Sequence, residues 1–98
     1  MKAIELIRNR ITYSDTAFAE IVVWQISHPV PGSAHTYKYR LAYVVNGECI
    51  LRYDNEAGKG DHRHVGGKEY EYSFHSLENL LSDFRDEIRR LTDEDCDT

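Results

Sequence analysis

An Asn46-Gly47 dipeptide constrains the fold of this chain more than any other local feature. It lies inside residues 37–54, where β-branched and aromatic residues flank it on both sides. Asn-Gly is the preferred centre of a two-residue type I′ turn, which joins two antiparallel strands. Uninterrupted pairing from that turn places Leu41 opposite Arg52. The sequence therefore predicts a β-hairpin over residues 37–54.

The predicted pairing gives the hairpin two faces of different character. One face is expected to hold Tyr37, Tyr39, Leu41, Tyr43, Ile50, Arg52 and Asp54. The other is expected to hold Lys38, Arg40, Ala42, Val44, Cys49, Leu51 and Tyr53. Because the second set has small apolar residues at its centre, we expect that face to pack under a helix.

Three further segments have strand character. Alternating residues predict strands over 4–13, with a bulge, and over 69–75. The run 17–27 is apolar on both parities, which is typical of a central strand covered on both faces. Trp24 lies in this run and is expected to belong to the core.

Residues 77–91 predict one amphipathic helix. Its apolar residues recur at helical spacing along one stripe, formed by Leu77, Leu80, Leu81, Phe84, Ile88 and Leu91. Ser76 suits the N-cap, and residues 93–98 predict an acidic flexible tail. The expected architecture is a single α+β domain over residues 1–92. An antiparallel sheet of about five strands carries the C-terminal helix on one face.

Charge is distributed unevenly around a net value of −5. Residues 35–68 carry six Lys and Arg against four acids, whereas residues 76–98 carry eight acids against three Arg. The basic middle segment can still bind a polyanion, because salt limits electrostatic interactions to about 10 Å at 0.1 M. Two cysteines, no recognisable signal peptide and no long apolar run predict a cytoplasmic protein without a membrane segment.

The segment "YRLAYVVNGECILRYDNEAGKGDHRH", followed by an aromatic strand and the helix "SLENLLSDF", resembles the TumE-like toxins of bacterial and archaeal type II toxin–antitoxin modules. The most specific part is "YDN…GKGDHRH" at residues 53–64, and the resemblance covers most of the chain. It implies a small intracellular toxin neutralised by a separately encoded helix-turn-helix antitoxin. It also implies interference with translation, often by RNA cleavage.

The His62-x-His64 pair is the sharpest chemical feature. In an extended chain both imidazoles face one side and Arg63 the other. Metal-independent RNA transesterification needs one histidine to take the proton of the 2′-OH and another to protonate the leaving 5′ oxygen. Asp61 or Asp54 is the candidate to orient an imidazole through its second nitrogen.

Basic residues around this pair are candidate phosphate ligands. Lys59 and Arg63 are expected to stabilise the charge of the transition state, and Arg52 offers planar donors to an anion. Lys38 and Arg40 are further candidates for phosphate binding, and the alternative for both is a solvated strand face. Flexible backbone that admits a phosphate is expected at Gly58, Gly60, Gly66 and Gly67.

Several alternatives stay open. The segment can be a solvated loop whose histidines are incidental, or His62 and His64 can bind a metal with Asp61 or Asp54, as in a metal-dependent hydrolase. A non-catalytic protein that binds RNA, the ribosome or the antitoxin is a further option. Transfer chemistry on RNA ranks low. The leading hypothesis is a cofactor-free endoribonuclease with RNA and an antitoxin as partners, and a homodimer is left open.

Overall fold

Six antiparallel strands and one helix form the fold. The computed structural model describes residues 3–96. In chain order the elements are β1 (Ile4–Thr12), β2 (Ala17–Gln25), β3 (Tyr37–Val45), β4 (Glu48–Glu56), β5 (Gly60–Val65), β6 (Lys68–Glu71) and α1 (Leu77–Cys96). Each strand pairs with the next in a meander. The predicted α+β class and C-terminal helix are confirmed, with six strands instead of about five.

The hairpin turn is as predicted, but the pairing beyond it is not. Asn46 and Gly47 have φ angles of 53° and 77°, as a type I′ turn requires. The register then shifts, so that Tyr43 pairs with Leu51 and Ile50 is an extra residue. A one-residue bulge moves all later side chains of β4 to the opposite face. The predicted faces of β4 are therefore wrong beyond Ile50. The expectation for β3 is wrong too, because its buried residues Tyr39, Leu41 and Tyr43 belong to the face that packs with the helix.

One face of the sheet packs against α1 and is called the covered face. Its buried apolar residues come from β2, β3, β4 and α1: Ala17, Ala19, Ile21, Val23, Tyr39, Leu41, Tyr43, Leu51, Tyr53, Leu80, Phe84 and Ile88. The predicted helical stripe is confirmed, since Leu80, Phe84 and Ile88 are at most 2% exposed. Burying each such large side chain stabilises the fold by about 1.5–3 kcal/mol.

The ends of α1 agree in part with the sequence. The Asn79 N–H donates to the Ser76 hydroxyl oxygen at 3.0 Å, which confirms Ser76 as the N-cap. The helix continues to Cys96, into the segment predicted as a flexible tail. Residues 97–98 lie outside the described part of the chain. None of the described residues forms a helix long and apolar enough to cross a membrane.

The opposite side of the sheet, called the open face, has no second layer among residues 3–96. Along β2, buried residues of the covered face alternate with half-buried residues of the open face. The prediction that this strand is covered on both faces is therefore wrong. Val22 and Trp24 lie on the open face, while Val23 between them is fully buried.

Strand β5 occupies the segment that the sequence suggested as a loop. It pairs with β4 on one side and β6 on the other. The last strand ends at Glu71, earlier than predicted, and residues 72–76 lead to α1.

The connection between β2 and β3 packs against the turn between β4 and β5. The Gly58 N–H donates to the Pro31 carbonyl at 2.7 Å. Gly60 has a φ of +77°, and a Cβ there would lie 2.4 Å from the Gly32 carbonyl oxygen. Gly60 is buried, so its missing side chain serves this close contact and not an approaching phosphate.

Candidate functional site

Two neighbouring rungs of strand pairing bring polar side chains together on the open face. In one rung Arg52 pairs with His64, and His64 pairs with Glu69. In the next rung Asp54 pairs with His62. The two imidazole ring centroids lie 6.4 Å apart. These five residues are called the open-face cluster.

The neutral tautomer of His62 follows from its backbone contact. Its Nδ1 lies 3.0 Å from the Gly60 carbonyl oxygen, which can only accept a hydrogen bond. Nδ1 therefore carries the hydrogen and Nε2 the lone pair. Nε2 lies 3.8 Å from a carboxylate oxygen of Glu69. Neutral His62 thus presents a basic nitrogen to the cluster.

His64 has partners for both of its protonation states. Its Nε2 lies 3.2 Å from Nη2 of Arg52, a donor to the neutral ring. The same nitrogen lies 3.5 Å from Oδ1 of Asp54 and 3.8 Å from Oε1 of Glu69, which are acceptors for the protonated ring. This arrangement allows His64 to hold a proton and to release it.

Two buried atoms of the cluster lack hydrogen bonds within the described chain. They are Nε of Arg52 and Oδ1 of Asp54. Arg52 Nε lies 3.1 Å from the other Asp54 oxygen, which is ion-pair distance without hydrogen-bond direction. Buried groups of this kind cost about 1–3 kcal/mol each. The His64 ring, 3.5 Å from Oδ1, is the donor within reach once it is protonated.

A pocket of about 410 Å³ adjoins the cluster on the open face. It is lined by Val22, Trp24, Lys38, Tyr39, Arg40, Arg52, Asp54 and Glu56. The three predicted phosphate ligands of the hairpin therefore border one space. Lys38 also donates through Nζ to the Asn55 carbonyl. The expectation that Trp24 belongs to the core is wrong. Because side chains alternate along a strand, a buried Val23 places the adjacent Trp24 on this face.

Arg63 lies on the covered face, away from the histidine pair. Its Nε donates to Glu87 Oε1 at 2.7 Å, and its Nη2 donates to Oε2. The Tyr53 hydroxyl donates to the same carboxylate at 2.5 Å. Burial raises the pKa of Glu87, but the hydrogen bonds from Arg63 and Tyr53 outweigh it and the net pKa is lowered. Arg63 thus joins the sheet to α1.

Asp61 also lies on the covered face. One carboxylate oxygen is 2.6 Å from His35 Nε2 and accepts the Tyr39 hydroxyl at 2.8 Å, while the other accepts from Ser33. Nδ1 of His35 accepts the Tyr37 N–H at 3.1 Å, so Nε2 carries the hydrogen towards Asp61. Burial and the bond to Asp61 raise the pKa of Tyr39. Asp61 therefore orients His35 and not an imidazole of the open-face cluster.

Lys59 lies at the edge of the cluster, in the turn before β5. Its Nζ is 3.5 Å from Glu69 Oε1, and its side chain is 55% exposed. Glu69 was not singled out from the sequence. A tight turn at Gly66-Gly67 would have placed it opposite His64.

Among the residues that the structure describes, no group of three or more His, Cys, Asp and Glu side chains is arranged to hold a metal ion. A protein without a cofactor stays a prediction, and a metal ion at His62 and His64 stays the alternative to it.

Comparison with known proteins gives one match. A family model described as Toxin TumE matches residues 3–92. No curated protein and no solved structure gives a significant match to the chain. The matched range contains all six strands and most of α1, and therefore both faces of the sheet.

Proposed function

Since the chain belongs to the TumE toxin family, we propose that it is the toxin of a type II toxin–antitoxin module. We propose that it acts in the cytoplasm and inhibits translation by cleaving RNA without a metal ion. The observation that carries this proposal is the placement of His62 and His64 on one open sheet face, with ring centroids 6.4 Å apart.

The separation of the two rings suits in-line displacement at phosphorus. An acid and a base each work within about 3 Å of the atom whose proton they move. A base at the 2′ oxygen and an acid at the 5′ oxygen stand on opposite sides of one phosphate, and 6.4 Å between rings leaves room for it.

In the proposed reaction His62 is the base and His64 the acid. Nε2 of His62 takes the 2′-OH proton, and the 2′ oxygen bonds to phosphorus. The bond from phosphorus to the 5′ oxygen breaks, and His64 protonates that oxygen. The products are a 2′,3′-cyclic phosphate and a 5′-OH. Both rings end in exchanged protonation states, and water resets them.

Two residues of the cluster support these roles. Arg52 adjoins His64, where its guanidinium can stabilise the negative charge that develops on the phosphate oxygens. Asp54 Oδ1 is buried, has no hydrogen-bond partner among the described residues and lies 3.5 Å from the His64 ring, so it can accept the N–H of protonated His64. Asp54 is thus proposed as a positioning residue.

Alanine substitution of the histidines tests the proposal. We expect His62→Ala and His64→Ala each to slow RNA cleavage about 10²- to 10⁴-fold, because each removes a proton-transfer group. The measurements are growth inhibition on expression and the appearance of 2′,3′-cyclic phosphate ends with purified protein in chelator. His28→Ala, which alters an exposed histidine elsewhere, should behave as the wild type. A double variant with full toxicity would remove both histidines from the mechanism.

The proposed protein partner is a helix-turn-helix antitoxin. The support is the family membership, since such modules pair each toxin with an inhibitor. Co-expression with the product of an adjacent small helix-turn-helix gene should relieve growth inhibition. Salt-sensitive RNA binding without any turnover would instead favour a non-catalytic binding protein.

A further inference from the structure

We propose that Trp24 is a stacking platform for an unpaired base of the RNA, which makes the open-face site selective for single strands. This inference rests on the proposed action on RNA. It adds a substrate-positioning residue that lies on a different strand from the histidine pair.

Trp24 has the position of a ligand-binding side chain and not that of a core residue. Its neighbour Val23 is fully buried on the covered face, whereas Trp24 pairs with Lys38 and is half-buried on the open face. Within residues 3–96 nothing packs over that face, and the indole lines the pocket of about 410 Å³. Pockets that bind small ligands commonly have volumes of about 300–1,000 Å³.

The charge around the indole suits a nucleic-acid strand. Lys38, Arg40 and Arg52 line the same pocket, and Arg40 is exposed. Basic side chains that track the backbone, beside aromatic rings on which bases stack, are the usual pattern of single-strand binding. The planar Arg40 guanidinium can also stack on a base.

The pocket is continuous with the proposed reaction centre. Arg52 and Asp54 belong both to the pocket lining and to the open-face cluster. From β5 to β2 the path crosses three inter-strand spacings, or about 14 Å at 4.7–4.9 Å each. A single nucleotide does not cover this path, so the base on Trp24 belongs to a neighbouring nucleotide of the same strand.

Stacking on Trp24 has a consequence for the substrate. A base can lie flat on the indole only if it is unpaired, as in single-stranded loops and ends. Every base has a stacking face, so stacking by itself discriminates little between bases. We therefore expect selection for unpaired RNA with a weak base preference at this position.

Phe18 provides a matched control on the same strand and face. Its ring is already occupied by Arg10, whose guanidinium carbon lies 3.8 Å from the ring centroid. Phe18 does not line the pocket.

The test uses the single tryptophan of the chain as a fluorescent reporter. A His62→Ala, His64→Ala double variant keeps Trp24 and is titrated with a short single-stranded oligoribonucleotide. We expect saturable quenching by the single strand and none by a duplex of the same sequence. Because substituting Trp24 removes this reporter, the affinities of all variants are compared by the fluorescence anisotropy of a dye-labelled oligoribonucleotide. Adding Trp24→Ala should weaken binding about 10- to 100-fold, whereas Trp24→Phe should retain most of the affinity. Phe18→Ala should bind like the parent.

With the histidines intact, Trp24→Ala should raise KM for the oligonucleotide and leave kcat nearly unchanged, because a base held equally in substrate and transition state affects only binding. Unchanged fluorescence at saturation, or equal affinity of the Trp24→Ala and Phe18→Ala proteins, would overturn the stacking site. Trp24-dependent binding without cleavage by the histidine-containing protein would support the stacking site and reject the proposed catalysis. Cleavage that does not depend on Trp24 would support the proposed catalysis and reject the stacking site.

Discussion

The polar residues of β5 have closely bound partners on the covered face of the sheet and more distant partners on the open face. On the covered face, Asp61 and Arg63 have close partners, with distances of 2.6 Å to His35 and 2.7 Å to Glu87. On the open face, His62 and His64 stand 3.5–3.8 Å from the nearest carboxylates. Alternate residues of one strand are therefore divided between a satisfied structural network and a loosely paired cluster.

The difference follows from the hydrogen-bond partners that are available to polar groups on each face. The carboxylate side chains of Asp61 and Glu87 on the covered face are only 7% and 5% exposed, so they must find partners within the protein, because an unpaired buried group is costly. Groups on the open face differ in their contact with solvent, from 39% exposure of the Glu69 side chain to 10% exposure of the Asp54 side chain. Unsatisfied atoms in the cluster, such as Asp54 Oδ1, are where a ligand or a proton would change the structure most.

The largest expected difference between the two faces is the loss of stability caused by Arg63→Met. This substitution leaves the Glu87 carboxylate, in a residue only 4% exposed, without its cationic partner. Removing one member of a fully buried ion pair costs about 3–5 kcal/mol, and because the Arg63 side chain is 30% exposed, the loss here is expected at the lower end of that range. We expect the free energy of unfolding in urea to fall by about that amount at pH 7. His64→Ala on the open face should cost less than about 1 kcal/mol.

A double substitution checks the reason for that loss. Arg63→Met with Glu87→Met removes both charges, and replacing a buried pair by apolar residues is often neutral or stabilising. The double variant should therefore recover most of the stability. If Arg63→Met and His64→Ala were equally destabilising, the two faces would not differ as described.

The second prediction compares Gly58, in the turn before β5, with Gly60, the first residue of that strand. Both have positive φ, but a Cβ at Gly60 would meet the Gly32 carbonyl at 2.4 Å, whereas none of the described atoms lies within 4 Å of a Cβ at Gly58. A left-handed non-glycine residue costs about 1–2 kcal/mol. We expect Gly58→Ala to lower the free energy of unfolding by about 1 kcal/mol and Gly60→Ala by about 2–3 kcal/mol, because a clash adds to the strain.

Gly60→Ala also tests the open face, because the Gly60 carbonyl oxygen accepts a hydrogen bond from Nδ1 of His62. We expect it to slow RNA cleavage as well as to destabilise the fold, while Gly58→Ala leaves cleavage near the wild-type rate. Equal loss of stability in both variants would mean that the contact with Gly32 contributes nothing.

Local sequence signals were sufficient for much of the fold. The Asn46-Gly47 turn, the Ser76 cap and the apolar stripe of α1 each depend on residues close together in the chain, and all are confirmed. The bulge at Ile50 carries no comparable signal. Missing it assigned Arg52 and Asp54 to the face of the tyrosines, although the two residues do share a face as predicted.

Strand β5 was missed because its polar residues obscure the usual alternation. Arg63 and Asp61 point to the covered face, where an apolar side chain is expected, and their partners Glu87 and His35 are distant in sequence. Hydrogen bonds to residues that are distant in sequence cannot be predicted from the two-residue alternation of apolar and polar side chains. The placement of His62 and His64 on the same side of the strand was predicted from alternation alone, because side chains of an extended chain alternate whatever their polarity.

The smallest predicted effect concerns the pH dependence of the covered network. The pKa of Glu87 in the folded protein is lowered from its ordinary value of 4.5, so its charge stabilises the fold above that value. This stability is lost as the pH falls through the folded pKa. Glu87→Gln removes the charge at every pH and should cost about 1–2 kcal/mol at pH 7, because hydrogen bonds to a charged group are replaced by neutral ones.

The difference between wild type and Glu87→Gln should therefore shrink as the pH falls below 4.5, since a protonated glutamic acid resembles glutamine. Urea unfolding of both proteins at a series of pH values measures it. A difference that stays constant into the acid range would show that the Glu87 charge adds nothing to the bond with Arg63. The stability of the covered face would then come from shape and apolar burial.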